Sequence, residues 1–221
     1  YLNGRAAQLS ASVAAQYSPG FETTSFDDVG EGPAEDGDTI FAMVVDEEGN
    51  AVSWIQSLYG SFGSKLVVPG TGIVLQNRGA GFSLQEGHPN QVAPGKRPFH
   101  TLMSTMITDA NGEFEMAIGT PGGSGQPQFI SQTLLKTLVF GMSPQQAVES
   151  PRFRIGNVNG VRLESRLPRA VRAGISARGN DVEVVEGWTA NFGSVQVIQR
   201  LASGMLRTGA DMRREAAAMA Y

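Results

Sequence analysis

The sequence predicts an α+β layered domain, on three observations. Apolar strand segments paired across short Gly-containing turns stand near both ends of the chain. Helix-compatible segments with start and stop signals lie between them. Glycine is abundant, at 28 of 221 residues, while charged residues are only 17%, a balance that suits a compact fold with many tight turns.

In chain order, residues 1–17 are Ala-rich and helix-compatible. Residues 18–38, SPGFETTSFDDVGEGPAEDGD, are acidic and rich in Gly, Pro and Ser/Thr, and predict an exposed linker. The composition changes at Thr39. TIFAMVVD and AVSWIQSL predict two strands joined through EEGN. Further strands are expected at 65–68 and 72–76. MSTMITD and EFEMAIG predict a second hairpin turning at Asn111-Gly112. A helix is expected over about 128–139. Ser143-Pro144-Gln145-Gln146 carries a capping-box start, and that helix stops before Pro151. Residues 168–178 predict another helix, stopped by Gly179. Strands follow at 182–186, 195–200 and 205–208, with Ser203-Gly204 between the last two.

The bulk numbers exclude several function classes. A 41% hydrophobic content over this length supports one large domain or two small ones. The net charge is -4, and no basic run exceeds Arg213-Arg214, so nucleic acid is a poor partner. The absence of cysteine excludes disulfides, thiol nucleophiles and thiolate metal sites, and leaves the compartment undecided. No apolar run approaches the ~18 residues of a membrane span. The start, YLNGRAAQLS, has no signal-peptide pattern and reads as the middle of a protein, so a fragment or processed piece is expected. Neither His88 nor His100 sits in a ligand cluster, and neither a metal nor an organic cofactor is expected.

Four stretches have chemical content. At Asp38-Thr39 a linker meets a strand. Thr39 is either a strand-starting residue or a nucleophile that becomes a new N-terminus, whose own α-amine serves as its base. An α-amine titrates near ~7.7–8.0 and is therefore usefully neutral at physiological pH. In TPGGSG, Gly122 and Gly123 could aim adjacent N–H groups at an oxyanion. A plain strand-to-helix turn is the alternative, and a phosphate loop is weaker because no Gly-Lys-Ser/Thr follows. In LQNRGAGFS, Arg78 is a carboxylate anchor or a solvated loop residue. In GKRPFHT, Lys96 and Arg97 could pin loops by salt bridges, and His100 and Thr101 line a pocket or sit on the surface. Met103, Met106 and Met116 are expected as core filler.

Taken in order, DTIFAMVVDEEGNAVSWIQSLYGSFGS, GTGIVLQNR, KRPFHTLMSTMI, GTPGGS, SPQQAVESPRFR and the tail GADMRREAAAMAY resemble the γ-glutamyltranspeptidases. The resemblance implies an N-terminal-nucleophile hydrolase, a four-layer αββα sandwich whose precursor cuts itself into two associated subunits. Residues 1–38 would be the tail of the large subunit, and residues 39–221 the small catalytic subunit. The large subunit would be the partner, supplying half the sandwich and an arginine to the donor site. By position, Thr39 would be the nucleophile and Asp38-Thr39 the cleavage site. Ser57 matches a threonine whose hydroxyl assists the nucleophile. Gly122 and Gly123 match the oxyanion-hole pair, and Asn77 an asparagine of the donor-binding loop.

The departures lie in the substrate pocket. An aspartate that grips the donor's α-amino group falls at Gly81. A glutamine falls at Arg78, two carboxylate-binding serines at His100 and Thr101, and an asparagine at Tyr59. Losing an acid and gaining a cation favours an amide substrate that carries a carboxylate without an adjacent ammonium. QNRGAGFS and KRPFHTL are similar to the branch that includes oxamate amidohydrolase-like proteins. Two alternatives stand beside this expectation. One is strict γ-glutamyl transfer with glutathione hydrolysis. The other is an uncut, inactive piece that self-associates, as a homodimer or aggregate, through an exposed apolar face.

Overall fold

The computed structural model describes Ala7, residues 37–156 and residues 160–220. The expected helix at 1–17 and most of the expected linker fall outside the described residues.

Nine strands and three α-helices are described. β1 (Gly37–Val45) and β2 (Ala51–Gly60) form an antiparallel hairpin. Both segments alternate inward and outward residues, as a half-buried strand requires. β3 (Ser104–Thr108), β4 (Phe114–Gly119), β8 (Gln196–Arg200) and β9 (Leu206–Ala210) build an antiparallel sheet in the order β3-β4-β8-β9. β5 (Phe153–Ile155), β6 (Gly160–Glu164) and β7 (Asp181–Val185) form a smaller sheet in which β6 and β7 run parallel. The helices are α1 (Gln126–Leu134), α2 (Pro144–Glu149) and α3 (Arg169–Ser176).

Three layers stack. The β1–β2 hairpin lies over β3, β4 and β8 of the four-stranded sheet, and α1 and α2 pack against that sheet at β4, β8 and β9. The core between helices and sheet holds Met116, Ile118, Phe129, Ile130, Val148, Phe192, Val195 and Val197. Phe129 and Phe192 meet edge to face, with centroids 6.4 Å apart. Gly119 is required by close packing, because a Cβ there would overlap the Phe41 ring of β1. That contact fixes the height of β1 over the end of β4.

Several expectations hold. The hairpin turns at Gly112, where φ is +87°. Ser143 accepts from the Gln146 amide while the Gln146 side chain accepts from the Ser143 amide, so both halves of the capping box form. Gly179, at φ +90°, ends the segment after α3.

Other expectations are corrected. Residues 65–68 and 72–76 form no strands. They meet in a single bridge, Val67 to Val74, because Pro69, the left-handed Gly70 and Gly72, and Lys65 at positive φ bend the chain too tightly for a ladder. β1 includes Gly37 and Asp38, so the linker expected to run to residue 38 ends before them. The first helix starts at Gln126, and its expected last turns form a π-helical turn, Leu135–Val139. β5 and β6 were not foreseen. Met116 is core, but Met103, just before β3, and Met106, on the outward face of β3, are exposed. Lys96 donates to the Pro89 carbonyl at 2.6 Å, and among the described residues neither it nor Arg97 makes a salt bridge.

Candidate active site

Thr39 and Ser57 are direct partners across the β1–β2 ladder. Both side chains point to the inner, half-buried face, and Thr39 Oγ1 donates to Ser57 Oγ at 2.9 Å. Ser57 Oγ also accepts from the Tyr59 amide at 3.0 Å. The Ser57 oxygen therefore takes two donors and is fixed in place.

The ladder is irregular at this point. Gly37 pairs with Gly60 and Thr39 with Ser57, so β2 carries one extra residue opposite Asp38. Tyr59 absorbs the bulge at φ +77°, a left-handed conformation that non-glycine residues avoid. Such backbone costs of order 1–3 kcal/mol and clusters at functional sites. Here it turns the Tyr59 amide toward Ser57 and its ring toward Arg78.

Asn77 holds the same corner from the other side, accepting from the Gly60 amide through Oδ1 at 3.0 Å. Arg78 is not the solvated loop residue of the alternative reading, being only 9% exposed. Its guanidinium lies 4.7 Å from the Tyr59 ring centroid, a cation–π stack, and its amide donates to the Gln76 side chain. Among the described residues it has no carboxylate partner. Burial lowers its pKa from the ordinary value, with Tyr59 opposing, and an arginine keeps its charge throughout the neutral range. Gly81 faces the same space. A Cβ there would meet only Phe99 O at 3.8 Å and Tyr59 Oη at 4.0 Å.

The Gly122-Gly123 turn follows β4 directly. Phe41 of β1 packs on Gly119, the last residue of β4, so β1 passes over the strand end from which this turn departs. Gly122 has φ +139° and Gly123 φ +54°. A Cβ on Gly122 would also press on the Phe129 ring at 2.9 Å. The carbonyls of the turn are engaged, Gly122 O by the Gly125 amide and Gly123 O by the Gln126 amide. Among the described residues neither glycine N–H has a protein acceptor. Thr120 braces the turn: its hydroxyl donates to Pro121 O at 2.6 Å and accepts from the Ser194 amide at 2.9 Å.

His100 and Thr101 lie on a segment held at both ends. Phe99 is beside Gly81, and the Met103 amide donates to Gln126 Oε1 at 3.0 Å. The segment thus runs from the Arg78 loop toward the start of α1. His100 is exposed and Thr101 half-buried.

The sequence reading missed the residue that joins these loops. Asn90, buried, donates from Nδ2 to Gly81 O at 2.6 Å and accepts from the Phe99 amide through Oδ1 at 2.9 Å. Its own amide donates to His88 Nδ1 at 3.0 Å, so His88 is a buried brace of this loop. The only local signal was an Asn following Pro in a loop. Among the described residues no group of His and carboxylates could hold a metal ion, and no helix is long and apolar enough to cross a membrane.

The sequence profile of the family described as Gamma-glutamyltranspeptidase matches residues 1–221. The chain is 42% identical over 187 residues to the glutathione hydrolase-like YwrD proenzyme of Bacillus subtilis, covering 82% of this chain and 35% of that protein. It is 40% identical over 197 residues to the oxamate amidohydrolase proenzyme of Klebsiella pneumoniae, covering 87% of this chain and 37% of that protein. The chain therefore spans about a third of the length of these relatives. A solved gamma-glutamyltranspeptidase from Pseudomonas nitroreducens superposes with a TM-score of 0.71 at 27% identity, over 82% of this chain and 98% of that one. The fold is accordingly of the N-terminal-nucleophile hydrolase type. With the family profile matched from end to end, this chain belongs to the gamma-glutamyltranspeptidase family of enzymes.

Proposed function

We propose that the chain is the self-processing nucleophile half of an amidohydrolase or acyltransferase with Thr39 as nucleophile. The observation that carries this reading is the Thr39–Ser57 hydroxyl pair, 2.9 Å apart near the start of β1. In the precursor, Thr39 Oγ attacks the carbonyl carbon of Asp38. The peptide C–N bond breaks as the C–O bond forms, and water then hydrolyses the ester. Asp38 leaves with a new carboxylate, and Thr39 keeps a free amine and hydroxyl.

In the mature enzyme that amine takes the Oγ proton as the oxygen attacks a substrate amide. Ser57 Oγ holds the attacking hydroxyl in register. The Gly122 and Gly123 N–H groups receive the oxyanion, each worth roughly 2.7–4 kcal/mol by comparison with known donors. The proton passes to the leaving amine. Water resolves the acyl-enzyme to an acid, or an acceptor amine resolves it to a new amide.

The pocket supports a carboxylate-bearing amide. Arg78 offers a partly desolvated cation with no carboxylate of its own among the described residues, Tyr59 stacks on it, and Gly81 beside Tyr59 brings no acid; Asn77, His100 and Thr101 are assigned to the same pocket as part of this proposal. The relatives are named proenzymes, which supports a precursor that is processed; we place the division between residues 1–38, the tail of a large subunit, and 39–221, the small one. The match to nearly all of a separate solved chain supports the same division. The outer face of the β1–β2 hairpin exposes Ile40, Val44, Val52 and Trp54, an apolar surface fit for that large subunit.

Acid-quenched turnover tests the reading. The piece beginning at Thr39 should gain the mass of the acyl group, faster with a simple carboxylate-bearing amide than with glutathione. An adduct on another residue removes Thr39 from its role. Preference for glutathione points instead to a γ-glutamyltransferase.

A further inference from the structure

Asp38 Oδ2 accepts a hydrogen bond from the Phe62 amide at 2.6 Å. The bond spans 24 residues, from the second residue of β1 to the loop just beyond β2. Phe62 has φ +56°, and its turn is closed by the Gly63 amide donating to Gly60 O at 2.7 Å. The amide is therefore aimed by a constrained backbone. On the other side of the Asp38-Thr39 peptide, Thr39 Oγ1 is held by Ser57. Both residues of the scissile bond are anchored by their side chains, opposite the extra residue of the β2 bulge.

We propose that Asp38 is a positioning residue for self-cleavage, its carboxylate clamping the scissile peptide to the Phe62 amide in the precursor alone. The proposal rests on the reading of Thr39 as the nucleophile. Intramolecular attack on the preceding carbonyl requires the hydroxyl and the carbonyl carbon to be held in one near-attack geometry. Ser57 fixes the hydroxyl, and the Asp38–Phe62 bond fixes the residue that supplies the carbonyl. Once the peptide is cut, Asp38 leaves as the end of the departing piece. The clamp then no longer restrains Thr39, whose new amine is free to move and act as base. Asp38 thus assists maturation and takes no part in turnover.

The test is a time course of precursor conversion by intact mass, on the full-length parent protein. Asp38→Ala should slow conversion at least tenfold. Asp38→Asn keeps a side-chain oxygen acceptor and should convert within about threefold of wild type. Material of either variant that has completed cleavage should match wild type in kcat and KM. Melting of Thr39→Ala beside Asp38→Ala/Thr39→Ala, expected to agree closely, shows that slow conversion is not loss of the fold. Wild-type conversion by Asp38→Ala overturns the proposal. So does an Asp38→Asn variant as slow as Asp38→Ala, which would assign the effect to charge rather than to the Phe62 bond. A clear drop in melting for the double variant would make the effect one of folding and also overturn it. Cleavage by Thr39→Ala would instead remove the underlying nucleophile.

Discussion

At the scale of single residues, the site separates chemistry from recognition. The hydroxyls of Thr39, the proposed nucleophile, and Ser57 sit on paired strands, where the antiparallel register sets their distance. In the proposed reading, recognition falls to Arg78 and the residues around it. Gly81 and Arg78 are the informative pair, because a Cβ on Gly81 would make only ordinary contacts, with Phe99 O and Tyr59 Oη, and its backbone is not in the left-handed region. An aspartate there requires no backbone strain. Gly81→Asp combined with Arg78→Gln should raise kcat/KM for a γ-glutamyl compound about tenfold or more, and lower it similarly for a simple carboxylate-bearing amide. Parallel kinetics on the two substrates check this, and unchanged ratios in a folded variant would contradict the pocket assignment. The ordered resemblance singles out Thr39, Ser57, Asn77 and the two glycines, and the structure bonds Thr39 to Ser57 and Asn77 to the Gly60 amide. The Tyr59–Arg78 stack was not legible in the sequence, since it depends on a bulge that no local pattern announces.

At the scale of elements, the pocket is a set of loops tied by few bonds. Asn90 links the loop bearing Arg78 and Gly81 to the segment bearing His100 and Thr101. Removing it leaves Gly81 O and the Phe99 amide without their partner, at about 1 kcal/mol per bond. Asn90→Ala should therefore raise KM roughly ten- to thirty-fold while changing kcat much less. Asn90→Asp, which keeps the acceptor for Phe99, should fall between. A fall in kcat alone would place Asn90 in the chemistry instead. The hairpins, the capping box and the stop at Gly179 were legible because their signals are local: alternation, a turn glycine, a cap. β5 and β6 were not, because β5 is three residues long and finds its partner only in the tertiary fold. Asn90 was hidden for the same reason, its two bonds each reaching nine residues along the chain.

At the scale of the whole molecule, the C-terminal segment is locked by buried charge. Arg152 pairs with Asp211 at 2.6 Å and Arg213 with Asp211 at 2.9 Å, while Glu164 receives both Arg213 and Arg166. Arg166 also stacks on Trp188, 3.7 Å from the ring centroid. In sequence, Arg213-Arg214 reads as a small basic run, and nothing local reveals that Arg213 is buried. Lys136 lies at the edge of this cluster and donates to Pro151 O at 2.9 Å. Burial, reinforced by Arg152 and Arg213, pushes its pKa down to about 8. Unfolded, a lysine titrates near ~10.4. Between these values the unfolded chain binds more protons, so stability rises with pH there, and below about 8 the cost of the buried charge is fully present. Melting curves from pH 7 to 10.5 should therefore climb for wild type relative to Lys136→Met, and parallel curves would contradict the burial of a costly charge. The central claim is that Thr39 becomes a working N-terminus. Intact mass with N-terminal sequencing, on the protein and its Thr39→Ala variant, tests it most directly. The account predicts a piece beginning Thr-Ile-Phe-Ala-Met from the first and none from the second. An identical cut in both, or a cut at another bond, would contradict it.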